Sequence, residues 1–274
     1  MAQPLARPEL SELTLRVLST VVILPLAVAA IWFGGWYFGG LVACVAVAMG
    51  RELSNLCRAG TTLCFIVVAV MLTVAALSFA GLVRESFACA VAGTVLAILI
   101  SRISATVAPY LISAGVAYIS LALLAIVWLR LAEEGGIAVF FWMVAVVIAT
   151  DVGAYFGGRG IGGPKLAPRV SPAKTWSGLA GGVVSAALAG VVALTATGGG
   201  EYVLVALASG TLAVVAQIGD LIESGVKRYV GVKDSGKLIP GHGGVLDRLD
   251  GFLTVAPVTA LMTWVAGGSP LEWQ

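Results

Sequence analysis

The sequence predicts an all-α, polytopic integral membrane protein of about nine transmembrane helices, with its N-terminus on the cytoplasmic side. Three observations carry this. Of 274 residues, 59% are hydrophobic and 11% charged, and the mean hydropathy is +1.03, whereas soluble domains carry about 25% charged residues. The 30 charges cluster in short stretches and leave long uncharged runs. The basic residues fall almost wholly on one side of the topology those runs imply. A net charge of +2 gives no support for a nucleic-acid partner, and the 35 glycines follow no collagen period.

A spanning helix needs about 20 mostly apolar residues, because the hydrocarbon core is about 30 Å thick and each residue rises about 1.5 Å. Val17–Gly50 is uncharged and is interrupted by Gly34-Gly35 and Gly39-Gly40, which predicts two helices joined by a tight turn of glycines and aromatics. Ala59–Val83 gives a third span, Ser86–Ser101 a shorter fourth and Ile103–Leu129 a fifth. Gly135–Thr150 gives a sixth that runs into Asp151, Thr175–Gly200 a seventh, Tyr202–Gly219 an eighth that runs into Asp220, and Gly251–Gly268 a ninth. With nine spans, 14 of the 16 basic residues share the side of the N-terminus, and only Arg84 and Arg130 lie opposite. Residues 1–150 thus form an N-terminal part with spans one to six. Residues 151–274 form a C-terminal part with spans seven to nine and the loops 151–176 and 219–250, where the polar residues that would make it the catalytic part are concentrated.

Arg16 followed by an apolar stretch ending in Ala27–Ala30 imitates a signal peptide, but the apolar run continues well past it. A retained span is expected, with Pro8–Arg16 as an amphipathic lead-in at the interface. Cys44, Cys57, Cys64 and Cys89 form no C-x-x-C and have no neighbouring His, which argues against a zinc site or a disulfide framework. Gly178 and Gly182 form a G-x-x-x-G on the seventh span, suited to close helix packing. No internal repeat suggests the inverted halves of a transporter.

The polar chemistry lies in Asp151–Trp176 and Gly219–Asp250, which hold 15 of the 30 charges and the only histidine, His242. If the eighth helix persists past the membrane edge, Asp220, Glu223, Ser224 and Lys227 fall on one face at i, i+3, i+4 and i+7. Asp247 and Asp250, at i and i+3 before the ninth span, can point to the same place. Opposed aspartates without His or Cys suit a hard cation such as Mg²⁺ that also binds phosphate oxygens. The competing reading is that Asp220 and Asp247 form salt bridges with Lys227 and Arg248. Lys227, Arg228, Lys233, Lys237 and Arg248 among glycines, including Gly241-His242-Gly243-Gly244, describe a polyphosphate site. Gly158-Arg159-Gly160-Ile161-Gly162-Gly163 fits G-x-G-x-x-G but follows a membrane helix rather than a strand, which argues against a Rossmann site, and no P-loop motif occurs.

Ser224-x-x-Lys227-Arg228, Lys233-Asp234-Ser235-Gly236, Pro240-Gly241-His242-Gly243-Gly244 and Leu246-Asp247-Arg248-Leu249-Asp250, in that order, closely resemble the signature of the phosphatidate cytidylyltransferase family. Asp151-x-Gly153-Ala154-Tyr155-Phe156, Gly158-Arg159, Lys165–Pro168 and Ser171-Pro172-x-Lys174-Thr175 resemble it too. The resemblance implies Mg²⁺-dependent transfer of CMP from CTP to phosphatidic acid in a cell inner membrane, by a homodimer. It gives Asp220, Asp247, Asp250, Lys227, Arg228 and His242 catalytic roles, with Asp220, Asp247 and Asp250 holding one Mg²⁺ or a pair of cations. Asp151, Arg159, Lys174, Ser224, Lys233, Asp234 and Arg248 would bind substrate. His242 either contacts a phosphate or orders its turn; Tyr155 and Trp176 either stack on cytosine or anchor at the interface. Ala173, Ser177 and Gly251 depart from the pattern, which implies no role for their side chains. Another lipid acceptor, a CTP-dependent lipid kinase and a cation transporter are the alternatives.

Overall fold

The computed structural model describes residues 12–103, 106, 108–132 and 135–273. Arg7 and the first part of the expected lead-in lie outside them. Among the described residues the chain forms nine long helices: α1 (Glu12–Phe33), α2 (Gly35–Leu56), α3 (Thr61–Phe79), α4 (Val83–Ile103), α5 (Pro109–Arg130), α6 (Gly136–Gly160), α7 (Trp176–Thr197), α8 (Tyr202–Tyr229) and α9 (Leu246–Ala266). Eight of them are long and apolar enough to cross a membrane, so the chain is a multi-pass membrane protein. The exception is α2, whose Gly and aromatic start and Arg51-Glu52 end lower its hydropathy.

The helix ends alternate between two faces, and α2 takes part in that alternation. On one face, the Arg130 guanidinium donates to the Ile31 carbonyl from Nε (2.8 Å) and Nη2 (2.6 Å), closing the end of α1. A Cβ on Gly34, whose φ is +65°, would meet the same guanidinium at 2.9 Å. The turn from α1 to α2 therefore falls at Gly34 and needs its left-handed backbone, while Gly39 and Gly40 lie inside α2. The far end of α2 carries Glu52, which accepts from the start of α9 on the opposite, charged face.

The core runs through α2, α5, α6, α8 and α9, with Met49, Ile112, Trp142, Met143, Leu212 and Leu253 fully buried. Buried Trp142 satisfies its indole N–H on the Ser209 hydroxyl at 3.0 Å. Val184, Leu188 and Val192 recur every four residues along α7 and stay exposed, as a lipid-facing stripe must. The other side of α7 confirms the close packing expected of Gly178 and Gly182. A Cβ there would lie 3.0 Å from the Ala154 and Thr150 carbonyls of α6, and one on Gly181 would lie 2.6 Å from the Gly153 carbonyl.

Two expectations are corrected in detail. Helices α6 and α8 run about ten residues past their apolar runs, to Gly160 and Tyr229, and α9 begins at Leu246 rather than Gly251. The 150/151 division therefore lies inside a continuous helix. Part of the first polar segment is a hairpin, β1 (Lys165–Ala167) antiparallel to β2 (Ser171–Thr175), which leads into α7 through Thr175, whose hydroxyl accepts from Gly178 N at 3.0 Å.

Candidate active site

The extra turns of α6, α8 and α9 bring the carboxylates together. Because α8 is unbroken, the predicted face exists: the Ser224 hydroxyl donates to Asp220 Oδ1 at 3.2 Å, and Lys227 Nζ lies 3.4 Å from Glu223 Oε2, each pair one turn apart. Helices α8 and α9 cross tightly here, since a Cβ on Gly219 would sit 2.8 Å from the Asp250 carbonyl. Asp250 on α9 lies within electrostatic reach of Asp151 on α6 and of Asp220 and Glu223 on α8, and Asp151 also feels Asp220. Both Glu223 oxygens are buried, and its carboxyl faces that of Asp250 without a hydrogen bond of acceptable geometry. Asp250 accepts from Gly251 N at 2.7 Å through Oδ1. Such a concentration of negative charge at a membrane edge requires cations.

Two lysines supply part of that charge. Lys174 Nζ, brought in by β2, lies 2.6 Å from Asp220 Oδ2, and Lys227 Nζ lies 2.8 Å from Asp247 Oδ1. The salt-bridge alternative is thus realised for Asp247 and Lys227. Asp220, however, pairs with Lys174, and Arg248 donates instead to the His242 carbonyl at 3.0 Å. Asp247 is further held by Ser235 N at 3.1 and 2.9 Å and by Gly244 N at 2.9 Å. The anion that the glycine turn approaches in this structure is therefore the protein's own carboxylate.

The turn has a definite geometry. His242 N donates to the Ile239 carbonyl at 2.9 Å, with Pro240 and Gly241 (φ +76°) between, the pattern of a type II turn. Both His242 ring nitrogens meet hydroxyls of α1: Nδ1 lies 2.9 Å from Ser19 Oγ and Nε2 lies 3.3 Å from Thr20 Oγ1. Arg16 Nε adds a bond to the Gly241 carbonyl at 2.8 Å. Through these contacts His242 ties α1 to the turn.

Sequence reasoning missed Glu52. It is 5% exposed, and its carboxylate accepts from Val245 N and Leu246 N, each at 2.9 Å, and from the Ser235 hydroxyl at 3.4 Å. An anion at the first turn of α9 satisfies backbone donors that lack helical partners and complements the helix dipole. Gly236 and Gly244 pack so closely on Glu52 that a Cβ on either would come within 2.6–2.7 Å of its oxygens. The signal that marked Asp151 and Asp220, an acidic residue directly ending an uncharged run, is missing here, because the run before Glu52 ends at Arg51. Tyr118 of α5, missed as well, donates to the Asp250 carbonyl at 3.3 Å.

The remaining expected residues lie at the rim. Arg159 donates to the Tyr155 hydroxyl and lies 5.4 Å from that ring's centre, so Tyr155 supports an arginine. Trp176, Arg228, Lys233, Asp234 and Arg248 are exposed. Cys57 is buried, and burial pushes its thiol up to about 12, so it is no nucleophile.

The profile of the cytidylyltransferase family matches residues 14–266, nearly the whole chain. The chain belongs to this family. Cytidylyltransferase relatives include the phosphatidate cytidylyltransferase of Brucella suis biovar 1 (strain 1330), 48% identical over 152 residues that cover 54% of this chain and 55% of the relative. The phosphatidate cytidylyltransferase of Bacillus subtilis (strain 168) is 45% identical over 130 residues (47% and 48%), and that of Pseudomonas aeruginosa is 44% identical over 131 (47% and 48%). The match spans about half the length of these curated relatives.

Proposed function

We propose that this cytidylyltransferase transfers CMP from CTP to phosphatidic acid, giving CDP-diacylglycerol and pyrophosphate, at the carboxylate and lysine cluster between α6, α8 and α9. The observation that carries this reading is the placement of that cluster. Five carboxylates (Asp151, Asp220, Glu223, Asp247 and Asp250) and two lysines stand at the membrane edge, on the face that also bears Arg228, Lys233 and Arg248. A lipid phosphate and a soluble triphosphate can meet there. The charged face is then the cytoplasmic one.

A phosphomonoester loses its second proton near pH 6, so the lipid phosphate is largely dianionic at neutral pH and needs no strong base. One of its oxygens forms a bond to the α-phosphorus as the bond from that phosphorus to the β-bridging oxygen breaks, and pyrophosphate carries the electron pair away. The chain's task is to align the two anions and offset their repulsion. Lys174 and Lys227, released from Asp220 and Asp247 by incoming cations or phosphates, would grip phosphate oxygens, with Arg228, Lys233, Arg248 and Arg159 at the mouth. Asp151 would orient the nucleotide. Asp247 keeps Ser235, Gly244 and Lys227 in register.

The donor set fits Mg²⁺. Among the described residues no three acidic, Cys or His side chains form a closed cage, and Mg²⁺ is ordinarily held by one or two carboxylates with water and substrate phosphates completing its shell. Asp220 has a side chain 31% exposed, Asp250 keeps Oδ2 clear of the Gly251 N–H that binds its Oδ1, Glu223 accepts no hydrogen bond and has Lys227 near its Oε2, and Asp247 could take part by yielding its lysine. When bound, the ion would neutralise phosphate charge at the transferred group.

Purified protein given labelled CTP, Mg²⁺ and a series of lipid phosphates tests the reading. CDP-diacylglycerol from phosphatidic acid supports it. Preference for a different lipid phosphate, phosphate transfer without CMP, or cation flux with no consumption of CTP would each refute it.

A further inference from the structure

Between α2 and the 236–238 segment lies a groove of about 570 Å³, separate from the carboxylate cluster. Its floor is a stripe of α2, Ala43, Cys44, Val47 and Ala48, at the i, i+1, i+4, i+5 spacing of one helix face. Small side chains on that stripe leave room for a chain-like apolar ligand at membrane depth. At the groove's charged-face end stand Arg51 and Lys237, both exposed. Neither has an ion-pair partner among the described residues. Glu52, the one acidic group in the lining, does not offset them fully: it is buried, and its oxygens are engaged by Val245 N, Leu246 N and Ser235. From Ala43 to Arg51 the helix rises about 12 Å at about 1.5 Å per residue, so the apolar floor reaches well below the cations.

We propose that this groove binds a lipid bearing a phosphomonoester headgroup, the acyl chain against Ala43–Ala48 and the phosphate between Arg51 and Lys237. The cavity falls within the size range of small-molecule sites, which are largely apolar with a few placed polar groups. A pair of cations at the mouth of an apolar cleft between membrane elements is the chemistry that retains an anionic lipid head. Charge complementarity favours a phosphomonoester over a zwitterionic head, which would bring its own ammonium to the arginine. The groove also adjoins the cluster. Its wall residue Gly236 follows Ser235, whose N–H binds Asp247, and Asp247 holds Lys227. A phosphate at Arg51 and Lys237 is therefore one short loop away from the lysine that would receive it. This inference rests on the proposed function, because it takes the acceptor lipid as the occupant.

Photo-crosslinking tests the occupancy without turnover. Phosphatidic acid with a photoactivatable acyl chain, mixed with the full-length protein in detergent micelles without CTP, should label the peptide containing Ala43–Ala48. A phosphatidylcholine probe should label it at least fivefold less. The R51Q/K237Q double variant should lose that preference and raise the KM for phosphatidic acid tenfold or more, with the KM for CTP changed less than twofold. Both side chains are exposed, so the variant should elute as wild type in gel filtration. Label elsewhere in the chain, equal labelling by the two probes, or an unchanged lipid KM in the double variant would overturn the groove. Labelling of α2 by the phosphatidic acid probe in a protein that never transfers CMP would uphold the groove and sink the proposed function instead.

Discussion

Glu52→Ala should cost more than any other single change outside the carboxylate cluster. The wild-type carboxylate accepts two backbone N–H bonds at 2.9 Å at the start of α9 and one hydroxyl at 3.4 Å. Hydrogen bonds to a charged group contribute about 1.5–3 kcal/mol each, and an anion at a helix N-terminus adds about 0.3–1 kcal/mol. Counting the two short bonds at the lower end and the dipole effect, the loss is about 3–4 kcal/mol. About 1 kcal/mol shifts the midpoint by about 2–4 °C for 150–250 residues and by slightly less for a chain of 274, so thermal unfolding in detergent at a fixed scan rate should fall by about 5 °C or more. Glu52→Gln should fall by roughly half as much, since the amide keeps one acceptor but turns its NH₂ toward the other backbone N–H. Turnover should fall in the same order, because Ser235 and Gly244 would no longer hold Asp247. A Glu52→Ala midpoint within 1 °C of wild type, with unaltered turnover, would refute the reasoning.

Asp250→Asn and Asp220→Asn should each reduce kcat at least a hundredfold and raise the Mg²⁺ concentration needed for half activity, measured by metal titration of turnover. Gly181→Val should lower the midpoint by several degrees, because its Cβ would meet the Gly153 carbonyl at 2.6 Å and overpacking costs about 1–3 kcal/mol; Gly210→Ala, whose nearest neighbour is 3.4 Å away, should stay within 1–2 °C. His242→Ala should speed amide exchange in residues 14–20 and 239–243 while kcat stays within about threefold; a hundredfold loss of kcat with unchanged exchange would restore the phosphate-binding role.

The apolar architecture was readable because lipid imposes it: a run without charge must be a span, and 14 of 16 basic residues on one side fixed the pairing of helix ends. The ends themselves were not. Asp151–Gly160 and Asp220–Tyr229 continue as helix after the apolar pattern stops, and only the spacing of Asp220, Glu223, Ser224 and Lys227 hinted at it. Hairpin β1–β2 escaped notice because strands of three and five residues, KLA and SPAKT, are too short to show a pattern distinct from a loop. The contacts that build the site are the least local. Glu52 meets Ser235 across 183 residues, and Ser19 meets His242 across 223. No periodicity along one chain reports which helix end will stand beside which loop. The partners of the lysines were open for the same reason: Lys174 reaches Asp220 only because the hairpin folds back against α8.

The fate of the label in CTP tests the central claim most directly. With phosphatidic acid and Mg²⁺, label at the α-phosphorus should enter the lipid and label at the γ-phosphorus should leave as pyrophosphate, with both transfers lost in Asp250→Asn. Label from the γ-phosphorus in the lipid, or α-label transfer that survives Asp250→Asn at the wild-type rate, would contradict cytidylyl transfer at this cluster.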